Sequence, residues 1–301
     1  MGEHMRDSGR VTRRTGLRTV AAAAIALPLV GSVRAAASRH EDAPLEVMTF
    51  NLRFASTAEP NSWTVRRPVM RTLLRRAAPH VIGTQEGVYQ QLRDVASDLG
   101  PHYDWIGTGR IRGSHDESMA VFFDTRRLAP AEYDHFWLSD TPEVIGSNTW
   151  GGAHSRMVTW VRFRDLRADG QQFYVLNTHL DNASAYARRR GATLIAERIS
   201  GLDRSLPVVV TGDFNVPAHG DAVYDTLLGA GLVDTWDAAE ERGTPYGTFH
   251  AYKPLTPGGE RIDWILATRG VTAHLASVDT FSRDGQFPSD HLPVRASLSL
   301  G

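Results

Sequence analysis

Apolar positions along the chain recur with two different periods. From Glu46 to Leu52, Val47, Thr49 and Asn51 alternate with Met48, Phe50 and Leu52, the period of two that a strand requires, so Asn51 falls near a strand end. Over Val65 to Ala78 the apolar residues Val65, Val69, Met70, Leu73, Leu74 and Ala77 fall at helical spacing, and Pro79 stops the run. Val81 to Thr84 reads as a buried strand delivering Gln85 and Glu86 at its end. Val88 to Leu99 returns to the helical period through Leu92, Val95, Ala96 and Leu99, closed by Gly100 and Pro101. Further strands are predicted at Met119 to Phe123, Met157 to Phe163, Phe173 to Thr178, Val208 to Thr211, Ile262 to Ala267 and Pro293 to Leu298, with helices near Ser184 to Leu202 and Asp221 to Leu228. Hairpin-like strands mix with helices without strict parallel alternation, which favours a mixed α+β or layered α/β fold.

The first 37 residues carry a different pattern. Arg13 and Arg14 precede an apolar run from Val20 to Val30, broken only by Pro28, and then Ala35, Ala36 and Ala37. A charged region, a short apolar core and a small-residue cleavage site make up a signal peptide, and the run is too short for the roughly 20 residues of a membrane span. Thr12-Arg13-Arg14-Thr15-Gly16-Leu17-Arg18 resembles a twin-arginine export motif, with Gly16 where an aromatic usually stands. The expectation is a secreted protein, exported by the Tat or Sec machinery, with 38–301 as one catalytic domain.

Composition narrows the chemistry. There is no cysteine, so disulfides, thiolate metal sites and cysteine nucleophiles are excluded, and any metal must sit on oxygen or imidazole. Lys253 is the only lysine. The leader holds six arginines and two acids, which leaves 27 basic and 32 acidic residues after Ala37, a formal charge of −5. That sign argues against a basic surface for long nucleic acids, although a local arginine cluster is compatible with it. No internal repeat or linker divides the middle of the chain, and nothing implies a stable protein partner.

Polar residues repeatedly follow short apolar strands: Asn51, Glu86, His179, and Asp213 with Asn215. Each alone is explained equally well by turn chemistry. Together, Thr49-Phe50-Asn51, Thr84-Gln85-Glu86, Asn177-Thr178-His179-Leu180, Gly212-Asp213-Phe214-Asn215, Arg261-Ile262-Asp263-Trp264 and Ser289-Asp290-His291-Leu292-Pro293-Val294 stand in the order and spacing of the endonuclease/exonuclease/phosphatase superfamily. The chain resembles that DNase I-like superfamily over about residues 45 to 300. The resemblance implies a four-layer fold, two mixed β-sheets packed as a sandwich and flanked by helices, with a metal-dependent site at one end.

It also implies a divalent-metal-dependent phosphoester hydrolase. Phosphodiesters react slowly because anionic oxygens repel the nucleophile and the leaving alkoxide is poor; a hard cation such as Mg²⁺, with Mn²⁺ or Ca²⁺ as substitutes, suits oxygen ligands and acts as a Lewis acid. Glu86 is the first candidate ligand, with Asn51 beside it and Asp290 as a further or water-bridged one. By the resemblance, Asp213 aligns the attacking water, Asn215 hydrogen-bonds that water or the phosphate, and Asp263 pairs with His291, which either accepts the water proton or binds phosphate as an imidazolium. His179 is the second histidine, with Glu117 as its carboxylate partner. Phe136 to Pro142 and Ser147 to Trp150 read either as a loop wall over the site or as buried packing, and Asp181 and Asn182 as substrate contacts or turn residues. Three substrate classes stay open: small phosphate esters, nucleic acid (a secreted DNase- or RNase-type nuclease), and phospholipid headgroups. A catalytically dead binding protein on the same scaffold is the alternative of another class, disfavoured because each motif keeps its polar residues.

Overall fold

The computed structural model describes residues 43–301; the leader of the sequence reading lies outside the described residues. Numbered along the chain, the described residues hold thirteen strands and five helices in two sheets. The first sheet runs, edge to edge, β10 (Glu241–Arg242), β12 (Thr272–Val278), β13 (Val294–Ser299), β1 (Leu45–Asn51), β2 (Val81–Val88), β4 (Glu117–Asp124) and β3 (Tyr103–Ile106). The second runs β5 (Leu128–Trp137), β6 (Met157–Asp165), β7 (Gln172–His179), β8 (Val208–Asp213), β11 (Asp263–Thr268) and β9 (Leu232–Asp234). Both sheets are mixed: β1 pairs with β2 and β7 with β8 in parallel, and most other neighbours are antiparallel.

The alternation along β1 decides the layering. Met48, Phe50 and Leu52 face α1 (Trp63–Ala77) and α2 (Tyr89–Leu99), where they pack with Met70, Leu73, Leu92 and Val95. Leu45 and Val47 face inward, against Val161, Phe163, Val175 and Val209 of the second sheet. On the far side Leu176, Val210 and Leu266 meet α3 (Ala185–Ser200) and α4 (Ala222–Gly229) through Ile195, Val223 and Leu227. The short α5 (Thr235–Ala238) caps the β9 end. The order helix, sheet, sheet, helix is the four-layer sandwich of a DNase I-like fold.

Beneath one end of the sandwich the interface between sheets turns polar. Asn177 on β7 donates to the carbonyls of Thr84 (2.8 Å) and Ala120 (3.0 Å), while its own oxygen accepts from Gln85 Nε2 (2.7 Å) and Thr211 Oγ1 (3.1 Å). Gly83 lies so close to this cluster that a Cβ there would sit 2.0 Å from Thr211 Oγ1. Gly83 therefore allows a close approach of the two sheets beneath the site, and buried hydrogen bonds fix their relative register.

Several elements differ from the sequence reading. β2 runs on through Gln85 and Glu86 to Val88, with a register shift between Thr84 and Gly87. Glu86 thus sits in a bulge, at φ 62°, rather than past a strand end. Phe136 and Trp137 end strand β5, and with Leu138 and Trp150 they are buried, so these side chains follow the packing alternative of the two left open, while Asp140, Thr141, Asn148 and Thr149 are exposed. Asp181 is a buried turn residue whose Oδ1 accepts from the backbone N–H groups of Ala183 (3.0 Å) and Ser184 (2.7 Å) at the start of α3.

Candidate active site

Strand pairing alone brings three polar residues into one row. His179 at the end of β7 is in register with Asp213 at the end of β8, and Asp213 with Asp263 at the start of β11. Across the sandwich β1 ends at Asn51, whose Nδ2 donates to Asp213 Oδ2 and to Glu86 Oε1, each at 2.9 Å. One buried amide therefore ties the two sheets together at their ends. The segment before β13 supplies Asp290 and His291, and Ser289 Oγ fastens it by donating to the Asn51 carbonyl at 2.7 Å.

Asp213 is the hub. Its Oδ2 lies 3.4 Å from His179 Nε2 and 3.7 Å from His291 Nε2, and its Oδ1 accepts from the Asn215 backbone N–H at 3.0 Å. Burial raises its pKa, the Asp263 charge adds to that, and His291 and the Asn51 donor oppose it. His291 Nδ1 lies 2.9 Å from Asp263 Oδ2. Burial acts against a charge on His291, but Asp263 and Asp213 outweigh it and raise its pKa, favouring the imidazolium. Asp263 is itself oriented by its backbone N–H donating to Thr248 Oγ1 at 3.1 Å.

His179 is the opposite case. Burial, reinforced first by the Arg156 guanidinium, lowers its pKa well below the ordinary value and keeps the ring neutral. Asn215 Nδ2 contacts His179 Nε2 at 3.0 Å while also donating to the Leu180 carbonyl. With Nε2 as acceptor the proton resides on Nδ1, which is buried and has no partner. Two histidines in one site are thus held in different charge states.

Glu117 departs from the sequence reading. Rather than meeting His179, its carboxylate pairs with Arg110 Nη1 at 2.8 Å. Burial pushes Glu117 up to about 7; Arg110 opposes this and Glu86 adds to it. Arg110 Nε also contacts Asp116 at 3.0 Å, so one arginine holds both carboxylates.

The metal-ligating types do gather. Glu86, His179 and Asp213 each offer one ligand atom within 4.8 Å of the others, as do Asp213, Asp263 and His291. The donors are oxygen and imidazole, as the lack of cysteine requires, and they suit a hard divalent cation. Two details qualify the ligand set. Asn51 presents its N–H groups to both carboxylates while its oxygen accepts from the Arg53 backbone N–H at 2.9 Å, so a cation on Glu86 meets the amide oxygen only if the amide flips end for end. Asp290 Oδ2 is held by the Arg53 guanidinium.

The arginines were missed by sequence reasoning. Arg53, Arg66, Arg110 and Arg156 all surround the site, yet single arginines on a helix or loop look like solvated surface. Arg156 is 5% exposed; its Nε and Nη1 have no hydrogen-bond partner, and Nε lies 3.9 Å from Asp181 Oδ2. Phe249 is exposed beside the site, its ring 4.9 Å from that of His291.

A family model described as endonuclease/exonuclease/phosphatase matches residues 48–291. Among solved structures, the chain is similar to a mannosyl-6-phosphatase of Bacteroides thetaiotaomicron, at 32% identity and a TM-score of 0.79 over 85% of this chain and 100% of the other. It is also similar to an endonuclease/exonuclease/phosphatase of Bacteroides vulgatus, at 30% identity and a TM-score of 0.80 over 86% and 99% of the two chains. The human Nocturnin catalytic domain shares the fold at 18% identity and a TM-score of 0.68, over 86% and 95% of the two chains. No curated protein matches.

Proposed function

Because this chain belongs to the endonuclease/exonuclease/phosphatase family, we propose that it is an exported, Mg²⁺-dependent hydrolase of small phosphate esters, sugar phosphates foremost. The observation that carries the reading is the convergence on Asp213, at the end of β8, of Asn51 and His179 from two further strand ends and of His291 from the segment before β13. The carboxylate and histidine clusters on this fold make the chain a metal-dependent phosphoric ester hydrolase. The solved structure at 32% identity is a mannosyl-6-phosphatase, which favours a phosphate monoester over a nucleic-acid polymer. The acidic balance of residues 38–301 points the same way.

The division of labour follows from the charge states. Asp213, with its basicity raised by burial and Asp263, accepts the proton of the attacking water. His291, charged against Asp263, donates toward the phosphoryl oxygens and neutralises charge that develops there. His179 stays neutral and, through the shared Asn215 amide, fixes the position of Asn215 for the water or the phosphate. Glu86, with Asn51 and Asp290, would hold the cation. When bound, that cation supplies Lewis-acid polarisation of the phosphoryl group. Export rests on the segment 1–37 with its arginine pair.

The reading is tested by kcat/KM for a hexose 6-phosphate, a small diester and plasmid DNA with Mg²⁺ present. The small monoester should be turned over best. Plasmid cleavage exceeding both small esters would replace this reading with that of a nuclease.

A further inference from the structure

Arg66 on α1 is 0% exposed, and among the described residues it has no ion-pair partner. Its guanidinium is nevertheless saturated. Nε donates to the Asn61 carbonyl (2.9 Å), Nη1 to those of Leu52 and Pro288 (2.9 Å each), and Nη2 to those of Arg53 (3.1 Å) and Phe54 (3.0 Å). Five N–H donors meet five backbone acceptors, which is the full capacity of the side chain.

The acceptors belong to the segments that carry the site. Leu52, Arg53 and Phe54 follow Asn51 directly, and Pro288 precedes Ser289, Asp290 and His291. Arg53 is also strained, with φ at 50°, and its carbonyl is held a second time by Gln91 Nε2 from α2 at 2.9 Å. The guanidinium of the same residue holds Asp290. A buried, unpaired cation is costly, and hydrophobic packing of α1 does not require one.

We propose that Arg66 is a positioning residue for the metal site, setting the spacing between the Asn51–Glu86 side and the Asp290–His291 side by gripping the backbone of both. The inference rests on the ligand set given under Proposed function. A lysine cannot replace it, because a single ammonium offers three donors from one point whereas the planar fork reaches carbonyls on two segments at once. Gln91 completes the grip on the Arg53 carbonyl and should act in the same direction with a smaller effect.

The test is Mn²⁺ affinity by titration calorimetry on the full chain, with turnover measured alongside. Arg66→Lys should weaken Mn²⁺ binding about 10- to 100-fold, the range for residues that orient metal ligands. Gln91→Leu should weaken it less, and Leu73→Ala, which removes buried packing from the same helix, should lower thermal stability without changing Mn²⁺ affinity. Mn²⁺ affinity within about twofold of wild type in folded Arg66→Lys, or equal weakening by Leu73→Ala, would overturn the proposal. Should Arg66→Lys fail to fold, Gln91→Leu carries the test: a loss of Mn²⁺ affinity greater than about twofold supports the proposal, and a smaller change overturns it. If the wild type binds Mn²⁺ but hydrolyses no phosphate ester, the functional reading fails while the affinity comparison still stands.

Discussion

Asp213 and His291 meet at 3.7 Å with Asp263 behind the imidazole, and their chemistry is separable by substitution. In the roles proposed for them, Asp213→Asn removes the proton acceptor and His291→Ala the charged donor, so each should lower kcat at least about 10²-fold, roughly 2.7 kcal/mol of transition-state stabilisation, in a folded protein. Glu86→Gln should mainly raise the Mg²⁺ concentration needed, with partial recovery at high Mg²⁺. Wild-type turnover in all three variants would mean that the reaction occurs elsewhere. At this scale the sequence was informative where a polar residue stands inside a short motif, as Asp213 and Asn215 do in Gly212-Asp213-Phe214-Asn215. It was uninformative where the partner is chosen by folding. Glu117 is two residues before Met119 on a readable strand, but nothing local says that Arg110 rather than His179 will receive it.

Among the elements, the legible strands are those buried on both faces, such as β7 and β8, whose near-continuous apolar runs leave little ambiguity. The edge strand β5 was not readable. It has partners on one side alone, carries exposed polar residues, and passes Pro130 through a register shift. Asn177 illustrates a motif residue with an element-scale task, since it bonds the two sheets rather than any reacting group. Asn177→Ala should cost about 1–3 kcal/mol of unfolding free energy by urea titration, because it strands buried partners. A second element-scale test concerns His80, which leads into β2 and whose Nδ1 accepts from the Glu46 N–H at 2.9 Å. Burial, with Arg127 second, lowers its pKa from 6.5 to about 4. The unfolded chain therefore takes up a proton that the folded one refuses between those values. Stability should fall as pH drops through that window, with no further loss from this group below it. His80→Gln should show a shallower pH dependence of the urea midpoint there; an unchanged slope would mean that His80 is not held neutral.

For the whole molecule, the four-layer arrangement was implied by the resemblance and not by periodicity, because periodicity does not say which sheet faces which. The burial of Arg66 and Arg156 was equally invisible, since burial of a guanidinium depends on carbonyls or charges contributed from other segments. If segment 1–37 directs export, as proposed, the protein should be recovered outside the cytoplasm with an N-terminus near Ser38. Replacing Arg13 and Arg14 by lysine should block export, and normal export of that variant would remove the twin-arginine route.

The central claim, hydrolysis of a phosphate ester by a divalent cation held at this site, is tested most directly by phosphate release from a hexose 6-phosphate after chelator treatment of the protein carrying residues 38–301. No release is expected in excess EDTA, with full recovery when Mg²⁺ is restored. Undiminished release in EDTA, with no tightly held metal by elemental analysis, would contradict it.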